Sequence, residues 1–276
     1  MSRLPVPPSS APALITGGSS GIGLAMARRI VAAGRPVAIV ARDELRLAAA
    51  VTELKAVRAD AHILAVAADV GEADAVERAV AATTARFGPL GLAIANAGIA
   101  RPGLFADQPL ADHDEQMRTN YFGALHLARA AVPAFAPGGR LVFVASGAAL
   151  VGIIGYSAYA PSKFALRGLA EVLRVELAER GIAVTLALPP DTDTPQLAAE
   201  NVTKPAATKR FTQGGGVYSA DVVAATILAA AERGIFMVTN GLALNLIMRV
   251  QDLAGPCLRW SQRRVMRAEA TKGDRR

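Results

Sequence analysis

The chain has 276 residues, a formal charge of +7, 52% hydrophobic and only 5% aromatic residues, which predicts one α/β domain with an aliphatic core. A single cysteine, Cys257, excludes an internal disulfide and a thiolate cluster, and His62, His113 and His126 lack ligand spacing, so we expect no metal. Because the start lacks a signal peptide and no run reaches the roughly 18 apolar residues of a membrane span, we expect a cytoplasmic protein.

After a flexible N-terminus over 1–10, a buried strand at Ala13–Thr16 runs into a glycine-rich turn, and an apolar helical pattern then continues to Gly34. A strand, a glycine turn and a helix N-terminus together form a seat for phosphates, because backbone N–H groups and the helix dipole face the anion. Glycines also serve in turns that bind nothing. The context favours dinucleotide binding by the turn residues, namely Gly17, Ser19, Ser20, Gly21, Ile22 and Gly23.

The second strand, 36–41, ends in Arg42-Asp43. A dinucleotide fold that prefers NAD usually has an acid here, bound to the ribose hydroxyls. Arg42 could instead pair with a 2′-phosphate, with Ser19 adding a hydroxyl, which predicts NADP(H). The alternative is that Arg42 is solvated and Asp43 only caps the helix predicted over 44–57.

The third strand, 62–67, is followed by Asp69-Val70, which we expect near the adenine. Asp69 could equally begin the next helix, which runs to Phe87.

The next strands deliver polar residues to the same edge of the sheet. Strand 90–95 ends in Asn96-Ala97-Gly98, whose small residues would let the backbone approach the cofactor. A helix then carries Asn120, and strand 140–145 leads to Ser146. Since ligands of open α/β sheets bind outside the carboxyl ends of the strands, these residues and the glycine turn predict one crevice.

The following helix, predicted to run to about Arg180, carries Tyr159 and Lys163 four residues apart, hence on one face. Pro161 is tolerated in its opening turn. An ammonium roughly 4–5 Å from a phenol lowers its pKa from about 10 toward neutrality. The pair is therefore a candidate proton shuttle, although an isolated Tyr-x-x-x-Lys is usually a chance surface pairing.

A sixth strand, 182–188, opens onto Pro189-Pro-Asp-Thr-Asp-Thr-Pro195. From there to Val217 the sequence predicts an irregular segment, and a stretch that long is typical of a lid. We assign 189–217 as a substrate lid, with Pro189, Thr192 and Thr194 contacting the cofactor. Ser219 then begins a helix, and 234–239 is the last strand.

The tail, 241–276, is basic: from Arg249 onward eight Lys and Arg stand against three acids. Leu242, Leu246, Val250 and Leu253 recur at helical spacing, Gly255-Pro256 is predicted to interrupt the helix, and Trp260 follows among arginines. Such a helix fits a membrane surface; the alternative is an oligomer interface. Nucleic acid is not expected, because the excess charge is confined to this tail.

In order and spacing, Thr16-Gly-x-x-x-Gly-Ile-Gly23, Asn96-Ala-Gly98, Asn120, Ser146 and Tyr159-x-x-x-Lys163 resemble the short-chain dehydrogenase/reductase family over about 11–240. The resemblance implies a single-domain, Rossmann-like, doubly wound parallel sheet of about seven strands with helices on both faces, and a homo-oligomer.

The resemblance also assigns roles to the catalytic residues. Tyr159 would be the general acid/base, and Ser146 would hold the substrate carbonyl. Lys163 would bind the nicotinamide ribose and depress the pKa of the tyrosine. Asn120 would support a water path. Ala95 stands where many members of the family have a second Asn, and we expect no loss of activity from this difference. Tyr156 lacks a lysine four residues on and is assigned to the substrate pocket or to loop packing.

Within the family the chain resembles the 3-ketodihydrosphingosine reductases, chiefly in Pro189-Pro-Asp-Thr-Asp-Thr-Pro195 and Glu200-Asn-x-Thr-Lys-Pro205. This likeness implies NADPH-dependent reduction of 3-oxosphinganine to sphinganine. The basic tail, in turn, predicts peripheral contact with the inner membrane surface. The alternatives are reduction of another apolar carbonyl (a steroid, retinal or a fatty aldehyde) and a non-catalytic dinucleotide-binding regulator.

Overall fold

The computed structural model describes residue 8, residues 10–213 and residues 216–273, with the side chains of 251–256 and 269–273 undescribed. Most of the predicted flexible N-terminus, two lid glycines and the last three residues lie outside the described part. The strands are β1 (Ala13–Thr16), β2 (Val37–Ala41), β3 (Ile63–Ala67), β4 (Leu90–Ala95), β5 (Phe135–Val144), β6 (Ala183–Ala187), β7 (Thr192–Asp193), β8 (Tyr218–Ser219) and β9 (Met237–Val238). The helices are α1 (Gly21–Ala32), α2 (Glu44–Val57), α3 (Ala73–Phe87), α4 (Leu110–Met117), α5 (Gly123–Ala131), α6 (Tyr159–Glu176), α7 (Pro195–Thr203), α8 (Ala206–Thr212), α9 (Ala220–Glu232) and α10 (Leu242–Gly273).

Seven of the strands form one parallel sheet in the order β3-β2-β1-β4-β5-β6-β9. β1 and β4 are short aliphatic runs buried on both faces, which is how a central strand covered by helices on both sides is built. The strand order reverses between β1 and β4, the point at which ligands bind in such sheets.

The core lies in two layers, one on each face of the sheet. One layer is supplied by α1, α2 and α9 and is rich in Ile and Val, and the other is supplied by α3, α5 and α6 and contains the one fully buried phenylalanine, Phe143, among the described residues. The predicted doubly wound architecture with helices on both faces is therefore confirmed. Asp43 caps α2, as the alternative interpretation of that residue predicted, by accepting a hydrogen bond from Arg46 N at 3.0 Å.

The prediction of an irregular segment from 195 to 217 is wrong, because α7 and α8 occupy most of it. Thr194 accepts a hydrogen bond from Leu197 N at 3.2 Å and Pro195 takes the first helical position. Both are helix-start signals. Pro205 separates the two helices, so the prolines that suggested disorder instead delimit helices.

The two ends of the segment 189–217 pair with each other, and its middle is hydrogen-bonded to the body of the domain. β7 and β8 pair in parallel, which brings the beginning and the end of the lid together. Thr208 of α8 donates a hydrogen bond to Ile154 O at 2.9 Å, in the loop that precedes α6. The lid is thus packed over the loop that leads to Tyr159.

The tail forms α10, whose backbone departs from helical geometry at Val250 (φ −122°, ψ 21°) and not at Gly255-Pro256 as predicted. Leu242 and Leu246 point outward, 91% and 61% exposed. Within the described part of the chain, no helix combines the length and the hydropathy required to cross a bilayer.

Candidate active site

The turn between β1 and α1 is shaped for close approach of a ligand backbone. Gly17 and Gly21 have φ of +66° and +53°, which L side chains rarely adopt. A Cβ on Gly18 would lie 2.7 Å from the Ile39 side chain, and one on Gly23 would lie 2.2 Å from Gly17 O. Ser20 precedes the helix without a side-chain capping bond. The turn therefore fits a dinucleotide pyrophosphate at the N-terminus of α1.

Asn96 holds this turn in place. Its side-chain Nδ2 donates to Thr16 O and Gly17 O, both at 3.1 Å, and Thr16 Oγ1 accepts from the N–H groups of Asn96 and Ala97. A Cβ on Gly98 would lie 3.2 Å from Asn120 Oδ1 and 3.4 Å from Lys163 Nζ. The predicted Asn96-Ala97-Gly98 segment thus joins the glycine turn to the predicted catalytic residues, and the Asn96 side-chain amide donates its hydrogen bonds to the turn.

The residues predicted to contact the adenosine lie at the neighbouring strand ends. Arg42 is exposed at the end of β2. Asp69 follows β3, where its carboxylate accepts from Gly71 N at 2.8 Å and lies 3.9 Å from Arg118 Nη2. Val70 is buried and packs in the core. Ser19 is half-buried in the glycine turn. None of these four lines the pocket onto which the predicted catalytic residues open.

Tyr159 and Lys163 open onto one pocket together with Ser146 and the glycine turn. Tyr159 begins α6, and Lys163 Nζ lies 5.5 Å from the centre of its ring. Lys163 is 3% exposed and donates to Val144 O at 3.1 Å. Ser146, at the end of β5, hydrogen-bonds Tyr159 and accepts from Ala148 N at 3.2 Å. The predicted constellation is assembled at the carboxyl edge of the sheet.

The pKa of Tyr159 lies above its ordinary value, opposite to the prediction from the Tyr-x-x-x-Lys spacing. Burial is the main cause and the Glu200 carboxylate adds to it, while the hydrogen bond from Ser146 opposes them. Burial likewise lowers the pKa of Lys163 to about 8. The spacing predicts that the two side chains meet, but not that desolvation penalises both charged forms.

Asn120 lies behind the pocket, 1% exposed, in a single π-helical turn (Arg118–Phe122) between α4 and α5. Its Oδ1 accepts from Ile99 N at 2.8 Å, and its Nδ2 donates to Ile99 O and to Ser162 Oγ, both at 2.9 Å. Asn120 therefore ties the loop after β4 to the first turn of α6. One extra residue in a helical turn is a frequent device at functional sites.

The predicted lid contacts line the same pocket. Pro189, Thr192 and Thr194 all face it. A Cβ on Gly21 would lie 3.0 Å from Thr194 Cγ2, so the start of the lid rests on the phosphate turn.

Sequence reasoning missed a buried polar cluster that the lid adds to this pocket. Glu200 (8% exposed) accepts from Tyr156 Oη at 2.9 Å and from Gln196 Nε2 at 3.0 Å. Lys204 (5% exposed) lies 3.8 Å from Asp191. The spacing of Gln196, Glu200 and Lys204 could have indicated this cluster, because residues four apart lie on one face if the segment is helical. Tyr156 lines the pocket, which was one of the two alternatives that the sequence left open for it.

A family model described as short chain dehydrogenase matches residues 11–205. A 3-dehydrosphinganine reductase of Danio rerio is 37% identical over 87% of this chain and 74% of its own length. A 3-ketodihydrosphingosine reductase of Bos taurus is 36% identical over 81% of this chain and 69% of its own length. The crystal structure of a short chain dehydrogenase from Burkholderia cenocepacia J2315 in complex with NADP matches with a TM-score of 0.75 and 33% identity, over 88% of this chain and 100% of that one. With the sheet, the glycine turn and the Ser146–Tyr159–Lys163 group in place, the chain belongs to the short-chain dehydrogenase/reductase family of oxidoreductases.

Proposed function

We propose that this protein is an NADPH-dependent reductase that converts the ketone of 3-oxosphinganine into the secondary alcohol of sphinganine. The observation that carries the chemistry is the convergence of Ser146, Tyr159, Lys163 and the glycine turn on one pocket. The substrate class is supported by the relatives named as 3-dehydrosphinganine and 3-ketodihydrosphingosine reductases, which match over most of both chains.

In this mechanism Ser146 donates a hydrogen bond to the substrate carbonyl oxygen, and Tyr159 transfers its proton to that oxygen. A phenol whose pKa lies above its ordinary value stays protonated at neutral pH, which is the form that a reduction needs. Lys163 supplies positive charge behind the phenol and Asn120 fixes the α6 end that carries both. NADPH, when bound, supplies the hydride for the carbonyl carbon.

The residues that would hold NADPH lie in two groups. The turn Gly17–Gly23 would receive the pyrophosphate, with Lys163 and the lid residues Pro189, Thr192 and Thr194 on the nicotinamide side. Arg42 and Ser19 would face the 2′-phosphate, and Asp69 and Val70 the adenine. Because a charge-assisted bond to phosphate contributes about 1.5–3 kcal/mol, Arg42→Ala should raise the NADPH Kd about 10- to 100-fold. An unchanged NADPH Kd, or equal loss of NADH binding, would remove Arg42 from this role.

In this proposal the segment 189–217 acts as the substrate lid. The proposed function is tested by comparing the rates at which the protein reduces different carbonyl compounds. NADPH oxidation is measured with 3-oxosphinganine, a steroid ketone, retinal and a fatty aldehyde. The proposal expects the highest kcat/KM for 3-oxosphinganine. Faster turnover of another carbonyl would reassign the substrate, and no turnover of any carbonyl despite NADPH binding would favour a non-catalytic regulator.

We also propose that α10 rests on the cytoplasmic surface of a membrane, where a long-chain substrate would be found. Trp260, Arg263, Arg264 and Arg267 follow helical spacing along one exposed face, and the Arg264 guanidinium stacks 4.8 Å from the Trp260 ring. Gln262, on the opposite side, is 8% exposed and docks on the body of the protein. A Trp with basic neighbours on an outward face is typical of interfacial helices.

Co-sedimentation with phosphatidylserine vesicles tests this contact. The combined change Trp260→Ala, Arg263→Ala should reduce the bound fraction severalfold at low salt, since the exposed face loses its aromatic anchor and one charge. Arg180→Ala serves as a matched surface control. Equal sedimentation of the wild type and the double variant would dismiss the membrane contact.

For oligomerisation, we propose that α6 contributes a face to a homo-oligomer. Phe164, Val172 and Val175 are exposed along one side of this helix, by 41%, 54% and 73%. A contiguous apolar stripe suits a partner of the same chain. Val172→Glu should lower the molar mass measured by light scattering; an unchanged mass would place the interface elsewhere or leave the chain monomeric.

A further inference from the structure

The lid places a buried carboxylate beside the reacting centre that the proton-transfer mechanism does not use. Glu200 of α7 lines the same pocket as Ser146 and Tyr159. Its partner Tyr156 stacks against Tyr159 with ring centres 5.4 Å apart. Glu200 is therefore one aromatic ring removed from the side chain that protonates the carbonyl.

The hydrogen bonds of Glu200 come from neutral side chains, burial raises the pKa of its carboxyl group, and Lys204 acts on it without a direct ion pair. Both donors that reach it, Tyr156 Oη and Gln196 Nε2, are neutral. The buried lysine one turn away, Lys204, is within 4.0 Å of Asp191 instead. Among the described residues, no cationic side chain lies within that distance of the Glu200 carboxylate. A buried carboxylate without an ion pair carries a desolvation penalty, which a cation brought by the substrate would offset.

We propose that Glu200 recognises the protonated amine of the substrate and is the residue that selects an amino ketone over a simple ketone. This assignment rests on the proposed function. In 3-oxosphinganine the amine stands on the carbon next to the carbonyl, so a carboxylate that binds it must lie close to Tyr159 and Ser146, as Glu200 does. Apolar residues that line the remaining pocket, including Ile153 and Leu197, suit the alkyl chain.

The same contact would assist proton transfer. The Glu200 carboxylate helps to raise the pKa of Tyr159 above its ordinary value. An ammonium bound to Glu200 offsets that negative charge, so the phenol gives up its proton more readily only when an amino ketone is bound. Loss of the amine is therefore expected to lower kcat as well as to raise KM.

The test compares two short-chain ketones of equal length, a 2-amino-1-hydroxy-3-ketone and the 1-hydroxy-3-ketone that lacks only the amine. For the wild type we expect kcat/KM for the amino ketone to exceed that for the simple ketone by about 10- to 100-fold, the range of one charge-assisted contact. Glu200→Gln, nearly isosteric and uncharged, should bring this ratio down to about threefold or less. Glu179→Gln, an exposed carboxylate beyond the far end of α6, should leave the ratio unchanged.

NADPH fluorescence titration checks that each variant keeps its fold, and the wild-type ratio stands independently of any variant. If the wild type reduces the two ketones equally, or if Glu200→Gln binds NADPH and keeps the wild-type ratio, the inference is overturned while the reductase assignment stands. If the wild type reduces neither ketone, the proposed function itself is wrong. If Glu200→Gln does not bind NADPH, the inference is tested by the wild-type ratio and by Glu200→Asp. Because Glu200→Asp retains the negative charge, it should prefer the amino ketone by more than tenfold, and a smaller preference would overturn the inference.

Discussion

Two stretches of this protein, one in α6 and one at the C-terminal end of α7, each carry a titratable pair four residues apart that includes a buried lysine, and the two lysines have different partners. On α6, Lys163 has no carboxylate within 4.0 Å among the described residues and is held by a main-chain carbonyl. At the C-terminal end of α7, the capping residue Lys204 pairs with Asp191. The same four-residue spacing therefore has two outcomes. The charge of Lys163 stays available for proton transfer, whereas the charge of Lys204 is neutralised by Asp191 and stabilises the lid.

The largest expected effect separates the tyrosines that belong to these two regions. Tyr159→Phe should lower kcat by about 100- to 10,000-fold, because the proton donor is lost, while the NADPH Kd changes little. Tyr156→Phe removes only a hydrogen bond to Glu200 and should lower kcat by tenfold or less, which is about the contribution of one such bond. Steady-state NADPH oxidation and fluorescence titration measure both. Substantial turnover by Tyr159→Phe would contradict the mechanism.

The glycine turn gives the next effect. In Gly23→Ala the added Cβ would stand 2.2 Å from Gly17 O, so the turn must shift, and the NADPH Kd should rise about 10- to 100-fold. Gly103→Ala is the matched control, since its Cβ would meet Gln108 at an ordinary 3.7 Å. Isothermal titration with NADPH reads both. Unchanged binding by Gly23→Ala would show that the turn does not carry the cofactor.

Stability as a function of pH compares the lysines directly. Burial lowers the folded-state pKa of Lys163 from its ordinary 10.5 to about 8, so the native protein bears an unfavourable term below pH 8 that disappears as pH rises toward 10.5. Lys163→Met should therefore be more stable than the wild type by about 3 kcal/mol at pH 7, with the difference vanishing between pH 8 and 10.5.

Lys204→Met should have the opposite sign, because it leaves the partly buried Asp191 without its partner. We expect a loss of about 2 kcal/mol at pH 7. Urea denaturation of the protein without added cofactor measures both variants. Destabilisation by Lys163→Met at pH 7, or stabilisation by Lys204→Met, would contradict the different roles assigned to the two lysines.

The smallest effect concerns the contact between α10 and the pocket. Gln262 accepts from Ile154 N at 2.9 Å and donates to Gly152 O at 2.8 Å, on the loop whose Ile153 lines the site. Gln262→Ala should lower kcat/KM about threefold and destabilise the protein by about 1–3 kcal/mol, the range for unpaired buried groups. Gln213→Ala, exposed on the lid, is the control. Equal kcat/KM for all three proteins would show that α10 does not support the site.

The sheet, the glycine turn and the predicted catalytic group follow from the amino-acid sequence. Buried aliphatic runs alternate with helical patterns, so the bounds of β1, α2 and β4 follow from local composition. Parallel strands end at a common edge, and for this reason the sequence predicts one crevice for Ser146, Asn96 and the glycine turn. The four-residue spacing of Tyr159 and Lys163 has the same consequence in any helix.

The protonation behaviour of the side chains in that crevice and the helices of the segment 189–217 depend on tertiary packing. The raised pKa of Tyr159 and the lowered pKa of Lys163 come from burial, and burial depends on which segments pack over the site. The prolines of 195–205 read equally as loop or as helix boundaries until the lid folds against the body. Glu200 faces Tyr156 through packing alone, since no local spacing specifies which distant side chain a lid residue will contact.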